Sequence, residues 1–200
     1  MRIRLFNEIA SRLGRVRIVD GLPVYLRPKE GENEADLPPR AINTLDLWNE
    51  QIDQLTQQQP FLTPAAFVEF LPIIWTKLGK GVQRAETQIR LHIVSATLAT
   101  VSSQYKEQAL YRLRLTKAVQ AAFVGFNGPT DAEGLMFGTF VHIQSETDHN
   151  HTDICEDIET WQTLCIDASG AISEGTVETP HKVTLNTGEI FSFIFSEEYV

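Results

Sequence analysis

The sequence contains no apolar run approaching the roughly 18–20 residues that a membrane-spanning helix needs, so no membrane partner is expected. Its opening, Met1-Arg2-Ile3-Arg4-Leu5-Phe6, is basic, but Asn7, Glu8, Ser11 and Arg12 interrupt any apolar core, which argues against a secretory signal. Cysteine is scarce: Cys155 and Cys165 are the only two. They lie ten residues apart in one expected strand, on the same face and roughly 33 Å apart when extended. A disulfide needs Cα atoms within about 7 Å. Free thiols in a reducing compartment are therefore expected, and two cysteines at this spacing do not make a metal pair.

Catalytic signatures are also missing. There is no G-x-x-x-x-G-K-[ST] phosphate loop and no G-x-G-x-x-G turn; Gly125-Phe126-Asn127-Gly128 reads as a helix stop. No Cys–His or Ser–His–Asp arrangement has a local motif. Asp153, Glu156, Asp157 and Glu159 lack the spacing of a calcium loop. His149-Asn150-His151 with Asp148 and Asp153 has metal-type ligands, but the segment reads as a polar link between strands. His92 and His142 read as structural strand residues, and Trp48, Trp75 and Trp161 as core or interface anchors. No catalytic residue, metal or cofactor is expected, and the chain is not expected to be an enzyme.

Positive charge is nearly absent from the second half. The net charge is −9, but residues 118–200 hold one base, Lys182, against fourteen acids, whereas residues 1–117 hold sixteen bases and twelve acids. One reading is a solvated acidic surface that favours solubility. Another is a subunit with one acidic and one more basic face, suited to head-to-tail assembly. Sequence-specific nucleic-acid binding, which needs clustered Lys and Arg, is not expected.

What is present is alternation. Residues 65–70, Ala-Ala-Phe-Val-Glu-Phe, place Ala66, Val68 and Phe70 in one row; residues 89–94 place Ile89, Leu91 and Ile93 in one row and Arg90, His92 and Val94 in the other. The spacing predicts a helix over Arg2–Leu13 with Ile3, Phe6, Ile9, Ala10 and Leu13 on its apolar face and Gly14 as its stop. Short strands at 16–19 and 22–26 flank a turn at Asp20-Gly21, and the charged, Pro-rich stretch 27–40 reads as a surface loop or mobile arm. A strand at 45–48 follows. A long hairpin is expected from strands 65–75 and 82–98 about Lys77-Leu78-Gly79-Lys80-Gly81. A helix over 104–124, capped by Ser103, carries Ala109, Leu113, Thr116, Val119, Ala122 and Phe123 in a stripe widened by Tyr111, Leu115 and Ala118. Strands at 136–146 and 154–167 close the layout. The tail has its own hairpin, 182–185 and 190–195 about Asn186-Thr187-Gly188. In its second strand Phe191, Phe193 and Phe195 share one face and Ile190 and Ile194 the other, so it needs cover on both.

The fold class is therefore α+β, a mixed but mostly antiparallel sheet flanked by two main helices, with an extra C-terminal β-hairpin. The expected division is 1–170, with 15–41 as an insertion or arm, and 171–200 as the hairpin extension.

The order of a helix, the segment Leu45-Asp46-Leu47-Trp48-Asn49-Glu50-Gln51, the strand Pro64–Phe70, then Gly81-Val82-Gln83 and Ile89–Val94, a helix and two closing strands resembles the tail-terminator or tail-completion proteins at the neck of long-tailed bacteriophages. In that family a proline-led strand reads much like P-x-V-F-V-E-F, and a Gly–Gln turn precedes an I-x-L-x-I/V strand. The 153–167 region is similar to the family's last strand. The resemblance covers residues 1–13 and 42–168; the 15–41 segment and the tail hairpin depart from it. It implies a ring, commonly a hexamer, between head connector and tail tube, located in the virion after assembly in the bacterial host cytoplasm. It brings no catalytic residues. The expected subunit-contact residues are Phe67, Phe70, Trp75, Phe191, Phe193 and Phe195. Two other classes stay open: a small-molecule-binding or enzymatic α+β domain, and an adaptor of a contractile injection or conjugation machine.

Overall fold

The computed structural model describes residues 1–50, 52, 61–96, 103–124, 135–148 and 154–171. Helix α1 (Arg2–Leu13) leads into a two-stranded antiparallel ribbon, β1 (Val16–Val19) and β2 (Leu22–Tyr25). The ribbon turns at Asp20 and Gly21, both with positive φ (51° and 76°). That is the geometry a tight primed hairpin requires, and Asp-Gly is the dipeptide that tolerates it. A second ribbon turn follows the same rule at Lys80 and Gly81, φ 44° and 79°.

Among the described residues the main sheet has seven strands: β3 (Thr44–Leu47), β4 (Ala65–Phe70), β5 (Trp75–Gly79), β6 (Val82–Ala96), β7 (Leu135–Phe137), β8 (Val141–Asp148) and β9 (Ile154–Asp167). At its centre β6 and β9 pair antiparallel, residues 83–96 against 154–167. The other edge of β6 takes β4 at one end and β5 at the other, both antiparallel. The far edge of β9 takes β8 and β7. One pair, β3–β4, is parallel, which makes the sheet mixed. Helix α2 (Ser103–Phe123) follows β6 and precedes β7 in the chain.

Both helices cover one face of the sheet. The row Ala66, Val68 from β4 and Ile89, Leu91, Ile93 from β6 packs with Trp161 and Cys165 of β9 beneath Leu5, Ile9 and Leu13 of α1 and Leu115, Val119 and Phe123 of α2. Fully burying each such aliphatic side chain is worth about 1.5–3 kcal/mol. On the opposite face a smaller cluster gathers Ile52, Ala65, Phe67, Val94 and Ile154, with Trp48 and Phe61 packed against it.

Several expectations need correction. The 65–75 segment is two strands, since 71–74 leave the ladder at Pro72, which has no N–H to donate. The 136–146 segment is likewise β7 and β8, separated where Gly138 crosses close over Leu164; a Cβ there would meet Leu164 atoms at 3.3–3.4 Å. In α1, Ile3 is 77% exposed, while Leu5 and Arg12 are buried. Gly14 ends that helix in right-handed geometry, φ −60°, without a left-handed cap. In α2, Ala109 and Leu113 are exposed; the buried face runs through Leu115, Ala118, Val119, Ala122 and Phe123.

The 27–40 stretch is a surface loop, yet it is tied to β1. Arg15 reaches the Leu26 and Arg27 carbonyls and Glu32, Arg17 reaches the Pro38 carbonyl and Glu34, and Ile18 N–H donates to the Pro39 carbonyl. Val16, Ala41 and Ile42 reach the main core on either side of it.

Candidate functional site

Polar chemistry concentrates on β9, where Glu156, Asp157 and Glu159 are all buried, the last only 1% exposed. Strand alternation divides them. Glu156 faces away from the helices, and Asp157 and Glu159 face α2. Burying three carboxylates is costly unless each is met by donors.

On the outer face, Glu156 Oε1 lies 2.5 Å from His92 Nδ1, and Glu69 Oε2 lies 3.1 Å from His92 Nε2. Three neighbouring strands, β4, β6 and β9, are thus clamped through one imidazole. The Trp48 indole stacks on that ring, centroids 3.9 Å apart and planes 3° from parallel. Arg90 adds an ion pair to Glu69 at 3.5 Å.

On the helix face, Glu159 receives Gln120 Nε2 at 3.0 Å and Ser145 Oγ at 2.8 Å, with His142 Nε2 at 2.5 Å. Asp157 receives Thr147 Oγ1 at 2.8 Å and Thr116 Oγ1 at 3.3 Å, and pairs with Arg112 at 3.3 Å. Arg112 also contacts the Cys155 thiol. These groups fasten α2 and β8 to β9. At the other end of α2, the buried Arg12 donates to the Ala122 carbonyl at 2.8 Å and to Glu8 at 2.8 Å. A cation suits a helix C-terminus; burial lowers the Arg12 pKa, and Glu8 opposes that shift.

Both cysteines are free and buried. Burial raises the pKa of each thiol; Thr87 Oγ1 lies 3.3 Å from the Cys165 sulfur. Buried, weakly acidic thiols are poor nucleophiles.

The residues expected at subunit contacts are placed unequally. Phe67 is 1% exposed and packs edge-on to Phe61, ring centroids 5.0 Å apart, and to Trp48 at 6.1 Å. It belongs to this chain's own core. Alternation alone does not reveal that the second face of β4 is covered at this point. Phe70 and Trp75 are half-buried against the main core, and Arg2 lies 5.9 Å from the Phe70 ring centroid. Phe191, Phe193 and Phe195 lie outside the described residues, as do His149, His151 and Asp153. Among the described residues, no three His, Cys, Asp or Glu side chains are grouped to hold a metal.

The open surface lies at the sheet margins. Edge strand β8 is exposed from residue 141 to 147, with Val141 at 55% and Ile143 at 49%. Edge strand β3 exposes Leu47. A groove on the outer face is lined by Pro72, Ile74, Thr76, Arg84, Glu86 and Gln88. Glu86 there already accepts from Gln162 at 3.0 Å. No helix of the described residues is long and apolar enough to cross a membrane.

No protein-family model matches the chain, and no curated protein matches it. Among solved structures it is similar to a chain of the "Virion of native gene transfer agent (GTA) particle", with 11% identity and a TM-score of 0.37, over 62% of this chain and 78% of that one.

Proposed function

We propose that this chain is a structural virion subunit of a long-tailed phage or prophage. In this reading it forms a ring at the head–tail neck, commonly of six copies, that terminates or completes the tail and meets tail-tube and head-connector proteins. The observation that carries the reading is the exposed sheet margin. Edge strands β3 and β8 lie at the margins of the described sheet and carry exposed aliphatic side chains, Leu47, Val141 and Ile143, as a subunit made for strand-mediated assembly would. The sequence resemblance at Pro64–Phe70 and Gly81–Val94 supports the neck assignment. The proposal includes the absence of catalysis and of any metal or cofactor. It is supported by the buried titratable groups His92, Glu156, Asp157 and Glu159 and the half-buried Glu69, which bond to one another and to their own subunit.

Light scattering on purified protein tests it. A discrete high-mass ring is expected, and so is its capture by tail tubes. A protein that is monomeric at tens of micromolar, and stays so when mixed with tubes, refutes the reading and returns weight to an enzyme or small-molecule-binding domain.

A further inference from the structure

We propose that β8 is a docking edge, and that residues 190–195 of a second copy of this chain pair with it as an added strand. The inference rests on the ring reading and names the contact that would build the ring.

Three observations carry it. First, among the described residues β8 pairs with β9 and with no second strand. It is eight residues long, exposed over 141–147, and it has no Lys or Pro. Lys and Pro are two of the devices that protect an edge from further pairing; β8 keeps two acids, Glu146 and Asp148, and one irregularity. The shift of register between His142 and Gln144 leaves Gln144–Asp148 as a regular run. Second, residues 190–195, Ile-Phe-Ser-Phe-Ile-Phe, are uncharged and apolar on both faces, so they fit a position with neighbours above and below the sheet. Laid along β8, they would set phenylalanine or isoleucine beside the exposed Val141 and Ile143, and bring no charge to Glu146 or Asp148. Third, the tether is long enough. The described chain stops at Ala171, where Gly170 lies against the Gly81 backbone. Eighteen residues lie between Ala171 and Ile190 and span up to about 60 Å, while a 200-residue domain has a radius of gyration of about 16–17 Å. A neighbouring subunit is within reach.

The ring reading makes the occupant a second copy, and donor and acceptor are then different surfaces. Such a contact is heterologous and repeats from copy to copy until the ring closes. Pairing within one chain would join no subunits. The mode is strand addition, in which backbone hydrogen bonds give affinity and alternate side chains give selectivity.

Disulfide trapping in the full-length chain tests it. Ile143 is exposed, so Ile143→Cys is a mild change, and the native Cys155 and Cys165 are buried. Ile143→Cys protein is co-assembled with Phe191→Cys or Phe193→Cys protein and oxidised. A linked dimer is expected in the mixture for one of the two partners, and in neither variant alone, because bridging requires Cα atoms within about 7 Å. As a check independent of substitutions in β8, hydrogen exchange on the wild-type assembly should show β8 amides at least about tenfold slower than in Phe193→Asp protein. A ring by light scattering without cross-link or protection overturns the edge contact and leaves the ring reading standing. In a double variant carrying both cysteines, cross-linking confined within single chains overturns it as well. A monomer refutes both.

Discussion

Replacing His92 tests whether the three-strand clamp is one energetic unit. In His92→Phe the ring facing Trp48 is kept, but both nitrogens are lost. Glu156, with its side chain 6% exposed, then has no partner for the Oε1 that His92 met, and Glu69, at 27%, loses one of two. Leaving the buried Glu156 carboxylate without its partner costs about 1–3 kcal/mol, and the partly exposed Glu69 adds little to that loss. With a urea slope of about 1–3 kcal/mol per molar, the unfolding midpoint should fall by about 1 M. Adding Glu156→Leu removes the stranded carboxylate and supplies apolar volume beside Val94 and Ile154 on the outer face. Removing both partners of a buried polar pair is often nearly neutral. The double variant should therefore recover most of the lost stability, with a coupling energy above about 1 kcal/mol. Urea titrations of the wild type, both single variants and the double variant, followed by far-ultraviolet circular dichroism and tryptophan fluorescence, complete the cycle. If the double variant loses the sum of the two single losses, His92 and Glu156 are not coupled and the clamp account is wrong.

Two further outcomes follow from the electrostatics. The Glu32 carboxyl is held below its ordinary value by Arg15, and that of Glu34 by Arg40 and Arg17, so their ion pairs to the 27–40 loop persist above the usual carboxylate range and are lost as pH falls through the lowered values. Carboxyl titration by NMR should find both below the ordinary 4.5; values at or above it would remove the electrostatic account of the tied loop. Because burial raises both thiol pKa values, an aromatic disulfide reagent should react slowly with native protein at neutral pH, faster as pH rises, and with two thiols per chain at once in denaturant. Rapid native reaction at either cysteine would contradict its buried placement.

The local signals in the sequence are faithful where a single physical cause decides them. Asp20-Gly21 and Lys80-Gly81 set their turns because positive φ restricts the residues allowed there. The helical span 2–13 is found from periodicity, and so are the rows Ala66/Val68 and Ile89/Leu91/Ile93. Faces fail where a distant partner changes the meaning of a residue. Arg12 looks like a surface charge until the Ala122 carbonyl, 110 residues away, accepts its proton. The run Glu156, Asp157, Glu159 looks like part of a solvated acidic surface, because His92, Arg112 and His142, which meet it in the fold, are far away in sequence. The cover on Phe67 is hidden for the same reason: it comes from Trp48 and Phe61, outside its own strand. The free thiols are legible, since one straight strand keeps the two sulfurs apart.

The β6–β9 ladder also sets a timetable. Its partners are separated by 58 residues at one end, Ala96 to Ile154, and by 84 at the other, Gln83 to Asp167. During synthesis, β4, β5, β6 and α2 all leave the ribosome before the strand that divides the sheet and carries the three buried acids. Long-range pairings of this kind form slowly. Until β9 arrives, the fifteen-residue β6 has one long edge open, with Ile89, Leu91 and Ile93 uncovered from that side. A nascent chain in that state has the features that favour premature association. Reaching the native fold therefore depends on completing β9 within one chain before strand edges on different chains meet.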